Sequence, residues 1–102
     1  MMHLLVSMED WRERISKLST VFVFFTRESC GPCKAMAQVL MLLKVSQQII
    51  EIDVEEFPEI AAKYFIRSTP TLCSFNSGRM WNQYVGGYAL KDLERFILKE
   101  DR

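Results

Sequence analysis

What this chain lacks narrows its function before any motif does. It has three cysteines, an odd number that makes no even framework of bridges, so a small secreted scaffold stapled by disulfides is not expected. An excess of either charge is missing, since thirteen Lys and Arg balance thirteen Asp and Glu. No broad field is left to attract nucleic acid or an anionic membrane, and neither is expected as a partner. Long hydrophobic runs are absent too: Val21-Phe22-Val23-Phe24-Phe25 is far too short to span a bilayer. The opening residues, Met1-Met2-His3-Leu4-Leu5-Val6, carry no basic segment and no sustained apolar one, and Glu9 and Asp10 follow. A cleaved signal peptide is therefore not expected, and the cytoplasm is the default compartment. No linker, repeat or low-complexity stretch interrupts the chain, so residues 1–102 are read as one domain.

What is present is apolar patterning enough for one core, with 49% apolar residues. Leu4 to Val6 reads as a short first strand. Ser7 starts a helix well because Asp10, three residues on, completes a capping arrangement. Trp11, Ile15 and Leu18 then form an apolar stripe over residues 8–18. Val21 to Thr26, β-branched and aromatic without polar alternation, reads as a buried strand. Met36, Val39, Leu40 and Leu43 line one face of a helix ending near Val45. Ile49 to Val54 alternates, with Ile50, Ile52 and Val54 on one face and Glu51 and Asp53 on the other. Strand, helix and strand of these lengths make a parallel unit with a right-handed crossover. Pro58 opens a short helix to Tyr64. Thr71–Phe75 and Arg79–Val85 form a hairpin around Asn76-Ser77-Gly78, with Trp81 and Tyr84 half-buried on it. Leu90, Leu93, Phe96 and Ile97 mark a closing helix. The total is an α/β fold with a central mixed sheet of about five strands flanked by four helices.

The chemistry lies in Cys30-Gly31-Pro32-Cys33, between the apolar strand and the following helix. Two cysteines two residues apart can close a disulfide ring or offer two ligands to a metal. Zinc takes four ligands, and beyond this pair only Cys73 and His3 remain, neither at ligand spacing, so no metal is expected. At a strand-to-helix junction the first sulfur meets unpaired backbone N–H groups and the positive end of the helix dipole, which stabilise a thiolate. Lowering its pKa from about 8.5 to about 7 raises the thiolate share at neutral pH from roughly 3% to roughly half. Cys30 is thus the expected nucleophile, partly exposed, and Cys33, one turn in, the buried resolving thiol. Cys73 reads as a small buried hydrophobe, His3 as an exposed residue and Arg67 as a solvated one.

The element order and Cys30-Gly31-Pro32-Cys33-Lys34 resemble the thioredoxin family over nearly the whole chain. Lys63-Tyr64-Phe65-Ile66-Arg67-Ser68-Thr69-Pro70-Thr71-Leu72 resembles the segment that carries the family's cis-proline. Phe75-Asn76-Ser77-Gly78 resembles its hairpin turn, and Val85-Gly86 the dipeptide before its last helix. The resemblance implies a thioredoxin fold and a monomer that reduces disulfides in protein substrates. It implies no bound cofactor, with a thioredoxin reductase as electron donor. Gly31, Pro32, Thr69, Pro70 and Gly86 would then form the substrate groove. Thr69 would offer it backbone groups, and a hydroxyl beside the sulfurs.

Some positions depart from the family. Its buried aspartate, six residues ahead of the first cysteine, is Phe24 here, and the lysine facing it on the next strand is Glu51. Glu51 is accordingly a candidate for proton transfer from the opposite strand, set against its reading as a solvated strand residue. Ser29 and Thr26 replace aromatic residues of the loop before Cys30, giving a more polar rim. Two other functions stay open: a partner-binding module with little turnover, favoured by Phe24 and Ser29, and a glutathione-linked, glutaredoxin-like enzyme, favoured by Gly86-Gly87 and Thr69-Pro70.

Overall fold

Seven consecutive buried residues, Thr20–Thr26, can be accommodated only by a strand covered on both faces, and that strand lies at the centre of the molecule. The computed structural model describes residues 2–43 and 45–101. Its elements are β1 (Met2–Leu4), α1 (Met8–Ile15), β2 (Thr20–Thr26), α2 (Gly31–Leu43), β3 (Gln48–Asp53), α3 (Pro58–Lys63), β4 (Thr71–Asn76), β5 (Arg79–Val85) and α4 (Leu90–Glu100). The strands lie in the order β1-β3-β2-β4-β5. β3 is parallel to both β1 and β2, whereas β4 is antiparallel to β2 and β5. The expected mixed five-stranded sheet with four helices is what forms. None of the described helices is long and apolar enough to cross a membrane.

Alternation along the strands makes two cores. Val21, Val23, Phe25, Ile50, Ile52, Cys73 and Phe75 face α1 and α3. Phe22, Phe24, Ile49 and Leu72 face α2 and α4, where Cys33, Met36, Leu40, Leu93 and Ile97 meet them. On the first face Trp11, Tyr64 and Phe75 pack edge to face at 5.0–6.2 Å between ring centres. Each such pair adds about 0.5–1.5 kcal/mol beyond its burial.

Several local expectations need correction. The first strand is Met2–Leu4 and not Leu4–Val6, because Leu4 pairs with Glu51 and the chain leaves the sheet for the Ser7 cap. That cap forms as read: Asp10 N–H donates to Ser7 Oγ at 3.0 Å. The Asp10 carboxylate also holds His3 Nε2 and Arg14 Nε, each at 2.7 Å, so His3 is a partly buried partner. The hydrogen bond from His3 is the largest cause that lowers the Asp10 pKa to about 2. α1 stops at Ile15, leaving Leu18 85% exposed outside the stripe. Leu90 is exposed at the first turn of α4. In the hairpin the register steps from Ser74–Asn82 to Phe75–Met80, making Trp81 the inserted residue of a bulge. The bulge turns Trp81 outward, and it is 56% exposed. Ser77 and Gly78 close the hairpin with positive φ at both central positions.

α3 ends in a paired cap: Phe65 N–H donates to Ala62 O, and Ile66 N–H to Ala61 O. The motif puts its first residue beyond the cap in the left-handed region. That residue is Phe65, at φ 56° and with 78% of its surface exposed. A side chain there costs about 1–2 kcal/mol, and the ring recovers little by burial. Replacing it with glycine, which gives back about 0.5–1 kcal/mol through the unfolded state, leaves a net gain. Phe65→Gly is expected to raise the melting temperature by a few degrees in a thermal melt; a lower melting temperature would contradict this account of the cap.

Candidate active site

The crossover from β2 sends the chain through α2 to β3 on one side, while α3 carries it to β4 on the other. The end of β2 is thus a topological switch point, where an open sheet leaves a crevice beyond its strand ends. Cys30 stands at that place. Its carbonyl accepts the Lys34 N–H at 3.3 Å, and its sulfur accepts the Cys33 N–H at 3.2 Å. Cys30 is therefore the cap of α2, with Sγ where a serine or aspartate oxygen would usually stand. Pro32, in the first turn, has no N–H to leave unpaired.

A disulfide joins Cys30 to Cys33, with the Cα atoms 5.2 Å apart. Cys33 is buried as expected, but Cys30 is only 5% exposed, less than its position at the loop implied. The cover is the segment before β4. The Thr69–Pro70 peptide is cis, Pro70 is buried, and the Thr69 carbonyl oxygen lies 3.7 Å from Cys30 Sγ. Thr69 thus presents its backbone carbonyl to the sulfur. Gly31 and Pro32 are exposed over the bridge. Val85 pairs with Thr71, which brings Gly86 beside the Pro70 end of β4. Gly86 has φ 122°, a conformation that favours glycine.

Beneath the disulfide, one row runs across the sheet through Leu4, Glu51, Phe24, Leu72 and Tyr84. Phe24 is completely buried against Cys33, and Glu51 is its neighbour on β3. Glu51 is half-buried and lines a cavity of about 320 Å³ with Cys33, Thr26, Lys34, Ala37 and Asp53. Burial first, and then the charge of Asp53, raise the Glu51 pKa. The strand alternation pointed to Glu51 and Asp53 together. Their meeting with Cys33 and Lys34 depends on how α2 crosses the sheet, which the strand pattern alone does not contain.

Cys73 faces the opposite core, with the sheet between it and the disulfide. Burial pushes its thiol up to about 12, which leaves almost no thiolate at neutral pH. Sequence reasoning missed Glu100, buried at the end of α4, where Ser74 Oγ donates to Oε1 at 2.8 Å and Asn82 Nδ2 to Oε2 at 3.2 Å. Its spacing from Leu93 and Ile97 placed it on the buried stripe. It ties α4 to the hairpin.

A protein-family model described as Thioredoxin matches residues 2–99. Among curated relatives, Thioredoxin of Chlamydia trachomatis is 34% identical over 95 residues, covering 90% of this chain and 89% of that protein. Thioredoxin Y2, chloroplastic, of Arabidopsis thaliana is 34% identical over 77 residues, covering 72% of this chain and 46% of that one. The chain spans about half the length of several curated relatives it matches. The crystal structure of a thioredoxin from Nicotiana alata superposes with a TM-score of 0.87 at 28% identity, covering 99% of this chain and 93% of that one.

Proposed function

The chain belongs to the thioredoxin family, and from that premise we propose that it is a thiol–disulfide oxidoreductase that reduces protein disulfides through Cys30 and Cys33. The observation that carries the reading is the sulfur of Cys30 held as the cap of α2, bonded to a partner within the same turn. In the reduced protein the Cys30 thiolate attacks one sulfur of a substrate disulfide. The other substrate sulfur leaves as a thiolate and takes a proton, and a mixed disulfide remains. Cys33 then gives up its proton and attacks Cys30 Sγ, releasing the second substrate thiol and closing the Cys30–Cys33 bridge. Two electrons pass to the substrate, and no bound cofactor takes part.

The substrate segment lies in a groove formed by Gly31, Pro32, Thr69, Pro70 and Gly86. Its partners are disulfide-containing proteins, and a thioredoxin reductase restores the dithiol. The protein acts as a monomer, since one chain supplies every group in the groove, and the cytoplasm is the proposed compartment. Glu51 is the proton acceptor for Cys33. Support for that role comes from the cavity they share, the half-burial of Glu51 and the apolar Phe24 beside it.

With a thioredoxin reductase present, Cys30→Ser is expected to lower turnover of a model disulfide by about a thousandfold or more. Cys33→Ser should instead accumulate a mixed disulfide detectable by mass spectrometry. Undiminished turnover by Cys30→Ser would contradict the mechanism. No turnover with either the reductase or glutathione, together with a partner retained after both cysteines become serine, would favour a binding module.

A second experiment addresses Glu51. An ionised carboxylate disfavours a second negative charge nearby, so its removal lets Cys33 ionise at lower pH. In a reduced Cys30→Ser background, Glu51→Gln is expected to move the midpoint of Cys33 alkylation to lower pH. An unchanged profile would remove Glu51 from the mechanism.

A further inference from the structure

The loops that meet beyond β2 and β3 carry two arginines that the dithiol exchange does not use. Arg27 follows β2, Arg67 stands two residues before Thr69, and both are exposed. They line one cavity of about 270 Å³ with Val54, Ile66, Ser68 and Thr69. No acidic residue is in that lining. Among the described residues neither guanidinium is in an ion pair; those pairs lie at His3–Asp10, Arg14–Asp10 and Arg95–Asp92. The wall nearest the chemistry is Thr69, whose carbonyl is 3.7 Å from Cys30 Sγ. A group seated in the cavity is therefore next to a disulfide presented to Cys30.

An extended substrate advances about 3.3 Å per residue, so a side chain one or two positions from the attacked cysteine reaches this distance range. A planar guanidinium binds a carboxylate through two parallel hydrogen bonds, a geometry that a neutral or cationic side chain does not satisfy. Acidic groups oppose this on one side. Glu28, Asp53 and Glu56 line the neighbouring cavity, which Arg27 also borders. They offset part of the Arg27 charge and leave Arg67 as the principal contact.

We propose that the Arg27–Arg67 cavity is a specificity pocket for an acidic side chain flanking the substrate's disulfide, so that disulfides in acidic segments of partner proteins are reduced preferentially. The inference rests on Cys30 and Cys33 being the exchanging pair. The pocket selects among substrates and takes no part in the electron transfer. Because both arginines are exposed, the preference weakens as salt rises.

The test uses the full chain, reduced beforehand, and three synthetic peptides with one internal disulfide. They are identical except for Glu, Gln or Lys two positions to either side of the attacked cysteine. The second-order rate of protein oxidation is followed for each. The Glu peptide is expected to react about fivefold faster than the Lys peptide at low salt. That ratio should approach one when Arg27 and Arg67 are both changed to alanine, and should invert with Arg67→Glu. Glu and Lys peptides reacting at equal rates, or a preference that survives both substitutions, would overturn the pocket. Oxidation by the Gln peptide without a Glu preference would leave the exchange reading standing. Failure of all three peptides to oxidise the protein would overturn both.

Discussion

A single backbone N–H, that of Cys33, pointing at Cys30 Sγ from 3.2 Å, links the local structure of this chain to its chemistry. A helix must satisfy the donors of its first turn, and here a sulfur does so. The same contact that completes α2 would stabilise negative charge on that sulfur once the disulfide is opened. The rest of the site depends on it. β2 must deliver Cys30 to the end of the sheet, Pro32 must occupy a position without need of a donor, and the Thr69–Pro70 segment must cover the bridge. A shift of one residue in the start of the helix would break this arrangement, because the sulfur would no longer occupy the capping position.

The two-faced sheet keeps the chemistry on one side. Cys30, Cys33, Phe24 and Glu51 belong to the α2–α4 side, whereas Cys73 faces α1 and α3. A third thiol in the chain is thereby kept from competing in exchange, by the intervening sheet and by a pKa of about 12. The end of the sheet has its own division. The Cys33 cavity carries four acidic residues, Glu28, Glu51, Asp53 and Glu56, against two basic ones, Lys34 and the shared Arg27, whereas the lining of the adjoining cavity beside Thr69 has Arg27 and Arg67 and no acidic residue. Proton exchange with the buried thiol and recognition of a charged substrate would then occupy adjacent, electrostatically distinct spaces.

Local signals in the sequence were sufficient wherever local physics decides the structure. The apolar run of β2, the Ser7 cap, the limits of β5 and the motif at the strand–helix junction all follow from short-range periodicity, capping and turn chemistry. Leu18 and Leu90 misled because helical spacing continues past the point where packing ends: α1 stops at Ile15, and Leu90 begins α4 before it reaches the core. Trp81 was misplaced by a bulge, which reverses the strand parity. His3 and Glu100 needed partners from other elements, Asp10 in one case and Ser74 with Asn82 in the other. The Arg27–Arg67 pair is separated by 40 positions and becomes a pair only through the β2–β4 arrangement. The low exposure of Cys30 likewise depends on a segment 39 positions away.

The central claim is that α2 lowers the proton affinity of Cys30 by using its sulfur as a cap. The most direct measurement is the ultraviolet absorbance of the thiolate in the reduced protein as a function of pH, with Cys30→Ser as the reference. The account predicts a transition lost in that variant, with its midpoint near about 7 and clearly below the ordinary value of about 8.5. A Cys30 midpoint at or above about 8.5 would contradict it.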